Sequence, residues 1–287
     1  MHHKEILKHY GIRAQKSLGQ NFLVNDEILE AIADSIDITG QDILEIGPGY
    51  GALTEKILAR KPRSLTLVEL DKQMVYILNS RIHEREIVIP KETTFRIIEG
   101  DVLQYVPPLT LSPSEEREIY SVIANIPYYI TSPILFRFLH ELESKPNEMV
   151  ILMQKEVGDK ICRKKWYPHS YLSLALEFSC ESIEEVCLVA KENFIPAPKI
   201  DSSVLYFQRR AEYNRINAKD FLRITSAWFS APRKKVISNL ASTLHISKES
   251  LASDFQALGL LDTVRAEEIN LITWNKIIEK IEKKWEL

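Results

Sequence analysis

Residues 45–54 read Glu45-Ile46-Gly47-Pro48-Gly49-Tyr50-Gly51-Ala52-Leu53-Thr54, and they decide the fold class. The apolar run Ile43 to Ile46 enters three glycines at alternate positions, after which a helical pattern begins. A strand that stops at glycines and turns into a helix lets a ligand approach bare backbone, and the helix N-terminus then offers free N–H groups. Such a turn in an α/β domain suits a nucleoside-bearing cofactor. A dinucleotide fingerprint would read G-x-G-x-x-G. Here the third glycine comes one residue early, and Pro48 removes a backbone donor that a pyrophosphate would use, so NAD and FAD are disfavoured. Taken alone, the segment also fits an ordinary βα turn.

The pattern E-x-G-x-G-x-G resembles motif I of class I (Rossmann-like) methyltransferases, which bind S-adenosylmethionine. The next acidic landmark agrees with that resemblance. Ser64 to Leu70 reads as a second strand with Glu69 at its end, about twenty residues past the glycines, where a carboxylate can accept hydrogen bonds from both ribose hydroxyls. Asp71 competes for the same role, and Glu69 could instead cap the helix beginning near Lys72. Thr94 to Glu99 reads as a third strand ending in Gly100-Asp101; Asp101 is a candidate acceptor for the adenine amine of the cofactor, or part of a plain turn.

Asn125-Ile126-Pro127-Tyr128 closes a fourth strand, Ser121 to Ile126. An exocyclic amine on adenine is a poor nucleophile, because its lone pair is delocalised into the ring. Acceptors on its N–H bonds hold it and help localise the lone pair toward a sulfonium methyl. The side-chain oxygen of Asn125 and a backbone carbonyl beside Pro127 are candidates for those acceptors. Tyr128 offers an aromatic face for the base. The alternative is a proline turn with a buried tyrosine.

With these residues in place, the chain resembles the ribosomal RNA adenine dimethyltransferase family, closest to its bacterial small-subunit type, over nearly its whole length. The N-terminal signature is Lys16-Ser17-Leu18-Gly19-Gln20-Asn21-Phe22-Leu23. Leu152 to Val157, Asn193 to Ser202 and Val264-Arg265-Ala266-Glu267 also look like family segments. The resemblance implies that Asn21 and Leu23 cover the methionine end of S-adenosylmethionine and that Gly47 meets it with backbone. Glu69 would then hold the ribose and Asp101 the adenine. Asn125 would touch both cofactor and target amine, and Tyr128 and Phe194 would sandwich the target base. Phe194 precedes Pro196 and Pro198, which stiffen its loop; packing inward as a loop anchor is its other role. The resemblance further implies dimethylation of two adjacent adenosines near the 3′ end of small-subunit (16S) rRNA, in an assembling 30S particle, by a monomer that needs no metal. Two positions depart from the family pattern. Tyr171 stands where an Arg is usual, and Pro232 replaces a cation in Phe229-Ser230-Ala231-Pro232-Arg233-Lys234-Lys235.

Two rival readings remain open on the sequence alone. One is the large-subunit enzyme of the same superfamily, which confers antibiotic resistance. The other is a non-catalytic assembly or transcription factor on the same fold, against which stand intact Glu69, Asp101 and Asn125.

The 287 residues suit one large domain and a small one. Strands alternate with helices to about residue 190, which indicates a parallel sheet; Met149–Met153, Val186–Val189 and Val204–Phe207 are the later strands. Ser132-Pro133 is expected to open a helix, with serine as cap. Leu109 to Glu118 reads as an exposed loop. From Ala218 onward only helical patterns occur. The expectation is a catalytic S-adenosylmethionine-binding domain over 1–210 and a small all-α domain over 211–287 that recognises rRNA. Net charge is −3, which by itself argues against a strongly basic nucleic-acid binder. Residues 215–287 nevertheless hold twelve Lys and Arg against nine Asp and Glu, and Arg233, Lys234 and Lys235 are candidate phosphate contacts. Neither a signal peptide nor an apolar run of membrane-spanning length is visible, and the three cysteines lack metal-ligand spacing, so a cytoplasmic protein without membrane or zinc is expected.

Overall fold

The computed structural model describes residues 2–107, 120–164, 167–210, 218–229, 231 and 234–285. The expected loop at 109–118, together with Pro232 and Arg233, lies outside them. Among the described residues the strands are β1 (Phe22–Leu23), β2 (Asp42–Ile46), β3 (Ser64–Glu69), β4 (Thr94–Glu99), β5 (Tyr120–Asn125), β6 (Glu148–Gln154), β7 (Cys180–Val189), β8 (Phe194–Ile195) and β9 (Ser202–Arg209). Seven of them form one sheet in the order β4-β3-β2-β5-β6-β9-β7. From β4 to β6 every pairing is parallel. The central strands carry continuous apolar runs because helices cover both faces of a parallel sheet; Val122 and Ile123 of β5 and Val150 and Ile151 of β6 are fully buried.

The sheet corrects the sequence expectation at one edge. β9 runs antiparallel to β6, with Leu152 opposite Val204, and lies between β6 and β7. β9 follows β7 after residues 190–201, which hold one short turn and the two-residue β8, too little for the crossover that a parallel neighbour of β7 would need. The sixth strand also begins earlier than read, at Cys180. Ser132 is not a cap: the helix Thr131–Phe136 continues directly from the turn Tyr128–Ile130, with no side-chain capping bond.

The strand order reverses at β2, whose neighbours are β3 on one side and β5 on the other. In such sheets the ligand crevice opens beyond the carboxyl ends of the strands at that switch point. Both the glycine turn, after β2, and Asn125, at the end of β5, lie there.

The chain divides into two compact units: residues 1–158 with 182–209, and residues 159–181 with 210–287. The 1–210 expectation therefore needs correction, since 159–181 belongs to the second unit. The reason is packing. Leu174 and Phe178 of the helix Tyr171–Ser179 join the core made by Phe221, Ile224, Trp228 and Trp274. Phe178 stacks on Phe221 at 3.9 Å, and Trp228 on Trp274 at 3.8 Å. The other helices of this unit are Ala218–Phe229, Val236–Leu244, Lys248–Ala257 and Leu271–Trp285.

Candidate active site

The glycine turn is shaped by its own backbone. Gly47 has φ +66°, and a Cβ there would stand 3.6 Å from the Asn125 carbonyl, so the turn brings bare backbone against the end of β5. Gly51, at φ +92°, starts the helix Ala52–Ala59; a Cβ on it would press within 2.7 Å of Ile87 and 2.8 Å of Leu78. Arg81, 2 % exposed, holds the turn from beneath by donating to the Tyr50 carbonyl at 2.7 Å and pairing with Glu55 and Glu86.

Glu69 is buried at the end of β3. Its two carboxylate oxygens accept from the backbone N–H groups of Asp71 (2.8 Å) and Gly49 (3.0 Å). Burial pushes its carboxyl above the ordinary range, the two N–H groups work the other way, and the charge of Asp71 adds to the rise. The capping role falls to Asp71, which accepts from the Gln73 N–H at 2.9 Å. Asp71 also accepts from Gln15 and Gln20, so it anchors the N-terminal segment.

That segment completes the site. β1 pairs antiparallel with β8, setting Leu23 opposite Phe194 and Phe22 opposite Ile195. His3 reaches the Tyr50 hydroxyl at 3.1 Å and Asp26 at 3.3 Å. None of these links has a local sequence signal, because the partners are tens to well over a hundred residues apart.

One open cleft of about 1040 Å³, its mouth included, is lined by Asn21, Leu23, Gly47, Glu69, Asp101, Asn125, Tyr128 and Phe194. All eight residues picked out in the first unit thus meet in one place. Asp101 uses one oxygen to accept from the Leu103 N–H at 2.9 Å. The Asn125 side chain makes no hydrogen bond among the described residues, so both its donor and its acceptor face no internal competitor. Tyr128 is half-buried, and its hydroxyl meets the Ser202 Oγ at 2.7 Å. Phe194 is only 3 % exposed and belongs to the core cluster, the inward-packing behaviour, while still lining the cleft.

Glu45 also lines the cleft, and sequence reading passed over it. It is 1 % exposed and accepts from Thr54 Oγ1 at 2.7 Å. Burial pushes its carboxyl up from 4.5 to about 8; the Thr54 hydroxyl opposes the shift and the charge of Glu69 adds to it. A carboxyl whose folded pKa is raised makes the folded state the better proton binder between the unfolded and folded values. Stability contributed by Glu45 is therefore complete below about 4.5 and is lost as pH rises through about 8. Chemical denaturation from pH 5 to 9 should show this fall, and Glu45→Gln should flatten it. An unchanged slope would remove Glu45 as its source.

In the second unit, Lys234 and Lys235 are exposed just before the helix Val236–Leu244. Lys235 lies 3.9 Å from Asp262. Tyr171, at the departure from the family pattern, sets its ring 6.4 Å from Phe229. Among the described residues no helix is long and apolar enough to cross a membrane.

Comparison with known proteins bears on this site. A model of the ribosomal RNA adenine dimethylase family matches residues 11–283. The chain is similar to the ribosomal RNA small subunit methyltransferase A of Listeria innocua, with 34% identity over 282 residues, 95% of this chain and 92% of that one. The protein of the same name from Desulfitobacterium hafniense is 34% identical over 281 residues, 95% and 94% of the two chains. Two solved structures share the fold. A dimethyladenosine transferase from Plasmodium falciparum gives a TM-score of 0.73 at 21% identity, over 91% of this chain and 97% of that one. The 23S rRNA methyltransferase ErmE gives 0.68 at 21% identity, over 91% and 100%. With the family match running along nearly the whole chain, and relatives a third identical over it, this chain belongs to the ribosomal RNA adenine dimethylase family.

Proposed function

We propose that this protein dimethylates the exocyclic amines of two adjacent adenosines near the 3′ end of small-subunit rRNA, acting as a cytoplasmic monomer on an assembling 30S particle. Family membership makes it an S-adenosylmethionine-dependent rRNA adenine dimethyltransferase. The observation that carries the site assignment is the unengaged Asn125 amide at the carboxyl end of β5, in one cleft with Gly47, Glu69 and Asp101.

The cleft fits the cofactor on its own chemistry. The buried carboxylate of Glu69 has lone pairs beyond those taken by Gly49 and Asp71 and suits a ribose diol. Asp101 keeps one oxygen for an adenine amine, Gly47 offers close backbone, and Asn21 and Leu23 cover the remaining end. When bound, S-adenosylmethionine supplies a methyl group already activated on a sulfonium. The protein's task is to hold and aim the amine, so positioning carries most of the rate. Asn125 accepts from the amine with its side-chain oxygen, and the carbonyl beside Pro127 takes the second N–H. Tyr128 and Phe194 are the two aromatic faces for the base. For Phe194, buried at 3 %, a full sandwich requires its loop at 190–201 to shift. Mapping dimethylated adenosines in rRNA from cells with and without this protein tests the proposal; identical maps would overturn it.

The helical unit supplies target selection. Arg233, Lys234 and Lys235 hold rRNA phosphates, a reading supported by the exposure of the two described lysines and by the excess of cations in 215–287. Neutralising all three should weaken binding to immature small subunits and lower the log–log salt slope by roughly 0.7–0.9 for each phosphate no longer held. Cofactor affinity should not change, because the cleft is built by the first unit alone. Filter binding across a salt series measures this. A wild-type slope would make these cations an ordinary solvated face.

A further inference from the structure

Tyr129 is the exposed aromatic of the cleft. Tyr129 is 61 % exposed, whereas Phe22, Tyr50 and Phe194, which line the same cleft, are all buried below 9 %. Burial normally claims a ring of this size. The Tyr129 hydroxyl makes no hydrogen bond among the described residues, so its polar end does not explain the position.

The ring nonetheless has a close neighbour. It follows Tyr128 on the turn Tyr128–Ile130 and lies beside Gly19. A Cβ at Gly19 would stand 3.3 Å from Tyr129 Cε1 and 3.2 Å from Pro127 Cβ. Gly19, at φ +62°, closes the turn Lys16–Leu18. Lys16, on that turn, is exposed and makes no ion pair among the described residues. The rim of the cleft thus presents a supported aromatic ring next to a cation-bearing turn.

Single-stranded RNA is held by that combination, aromatic rings for bases and cations for phosphates. RNA is also continuous. A base inserted beside Asn125 and Tyr128 leaves its neighbour at the rim, one nucleotide away. We propose that Tyr129 is a stacking ledge for the nucleotide adjoining the target adenosine, and that Lys16 takes a phosphate beside it. The inference rests on the proposed function and adds a subsite to it.

The test is a cycle between protein and RNA. Unmethylated small subunits are reconstituted intact or with an abasic nucleotide on the 5′ or the 3′ side of the adenosine pair, so that both target adenosines remain. Methyl incorporation then gives KM and kcat for wild type, Tyr129→Ala, Tyr129→Phe and Tyr129→Leu. Tyr129→Ala should raise KM for intact particles about tenfold, a typical stacking contribution. Tyr129→Leu, which keeps apolar packing on Gly19, should do nearly the same, and Tyr129→Phe should stay close to wild type. One of the two abasic particles should raise the wild-type KM by a similar factor and change Tyr129→Ala little further. Cofactor affinity by calorimetry should not move in any variant. Effects of ring and flanking base that multiply independently would overturn the ledge, as would a Tyr129→Leu enzyme with wild-type KM. Wild-type enzyme that fails to methylate intact particles would overturn the proposed function, and the ledge with it. Lys16→Gln should lower the salt slope by roughly 0.7, one single-strand phosphate contact; an unchanged slope removes Lys16 from the subsite.

Discussion

Asn125→Ala should nearly abolish methyl transfer, lowering kcat by on the order of 10²–10³, the scale seen when one preorganised polar group is taken from a reacting centre. The substitution is clean for a structural reason. The side-chain amide makes no hydrogen bond among the described residues, so its removal strands no internal partner. The residue terminates β5 in register with Leu152, and its backbone pairing does not depend on the side chain. Folding stability should therefore stay within the range of a surface change. Binding to rRNA particles should also persist, since phosphate contacts carry most of that affinity. Turnover and filter binding on the same preparation test both halves. The orienting interaction belongs to the transition state, so KM for the particle should move little while kcat collapses. A variant with near wild-type turnover would return Asn125 to an ordinary turn residue.

What could be read from sequence was local. The glycine turn announces itself because alternate glycines between an apolar run and a helix leave few other conformations; Gly47, Gly49 and Gly51 all take positive φ. Glu69 and Asn125 were legible because parallel strands place their last residues at one edge, and strand ends can be found from apolar runs. The competition between Glu69 and Asp71 was not decidable there. It turns on Gln15 and Gln20, which occupy Asp71 from a segment about fifty residues away in the chain. The pairing of Phe22–Leu23 with Phe194–Ile195 was equally hidden, because two-residue strands have no periodicity. That pairing accounts for the burial of Phe194, the inward packing weighed for it beside the base-stacking role. The helix Tyr171–Ser179 shows the same limit at domain scale. Nothing local in its sequence says that Leu174 and Phe178 join the core of Phe221 and Trp274.

The buried pair Glu45 and Glu69 shows why local chemistry needs the fold. Each glutamate sits next to the glycines in sequence or in space, and either could pass for a helix-turn acid. Folding removes both from water, at 1 % and 7 % exposure, and burial raises both carboxyls. Only Glu69 is held by backbone donors from the glycine turn and the following loop, which stabilises its charged form against the burial. Glu45 has one hydroxyl donor, Thr54, and lacks such a cradle among the described residues. The two acids thereby differ in what favours their charged form: two backbone donors at Glu69, one hydroxyl at Glu45.

That division sets up the second large effect. Glu69→Ala should weaken S-adenosylmethionine by about 1.5–3 kcal/mol, the loss of hydrogen bonds to a charged acceptor, or roughly 10- to 150-fold in Kd. Some of the loss is indirect, because the Gly49 and Asp71 N–H groups lose their acceptor and the glycine turn loosens. Glu69→Gln separates the two contributions. An amide keeps the size and one acceptor but aims an N–H₂ at a backbone N–H, and it cannot titrate. The wild-type pH dependence then supplies the sign. Ribose hydroxyls want the carboxylate, so cofactor affinity should rise with pH as the raised carboxyl of Glu69 loses its proton, above the ordinary glutamate range. Folding stability runs the opposite way over that interval, since a raised acid stabilises the fold most when protonated. Calorimetric titration at several pH values should give a rising affinity for wild type and for Glu45→Gln, and a flat, weaker one for Glu69→Gln. Affinity that follows Glu45 instead, or that falls with pH in the wild type, would take the ribose away from Glu69. Because the two slopes oppose each other, a rising affinity cannot come from a better-folded protein at higher pH.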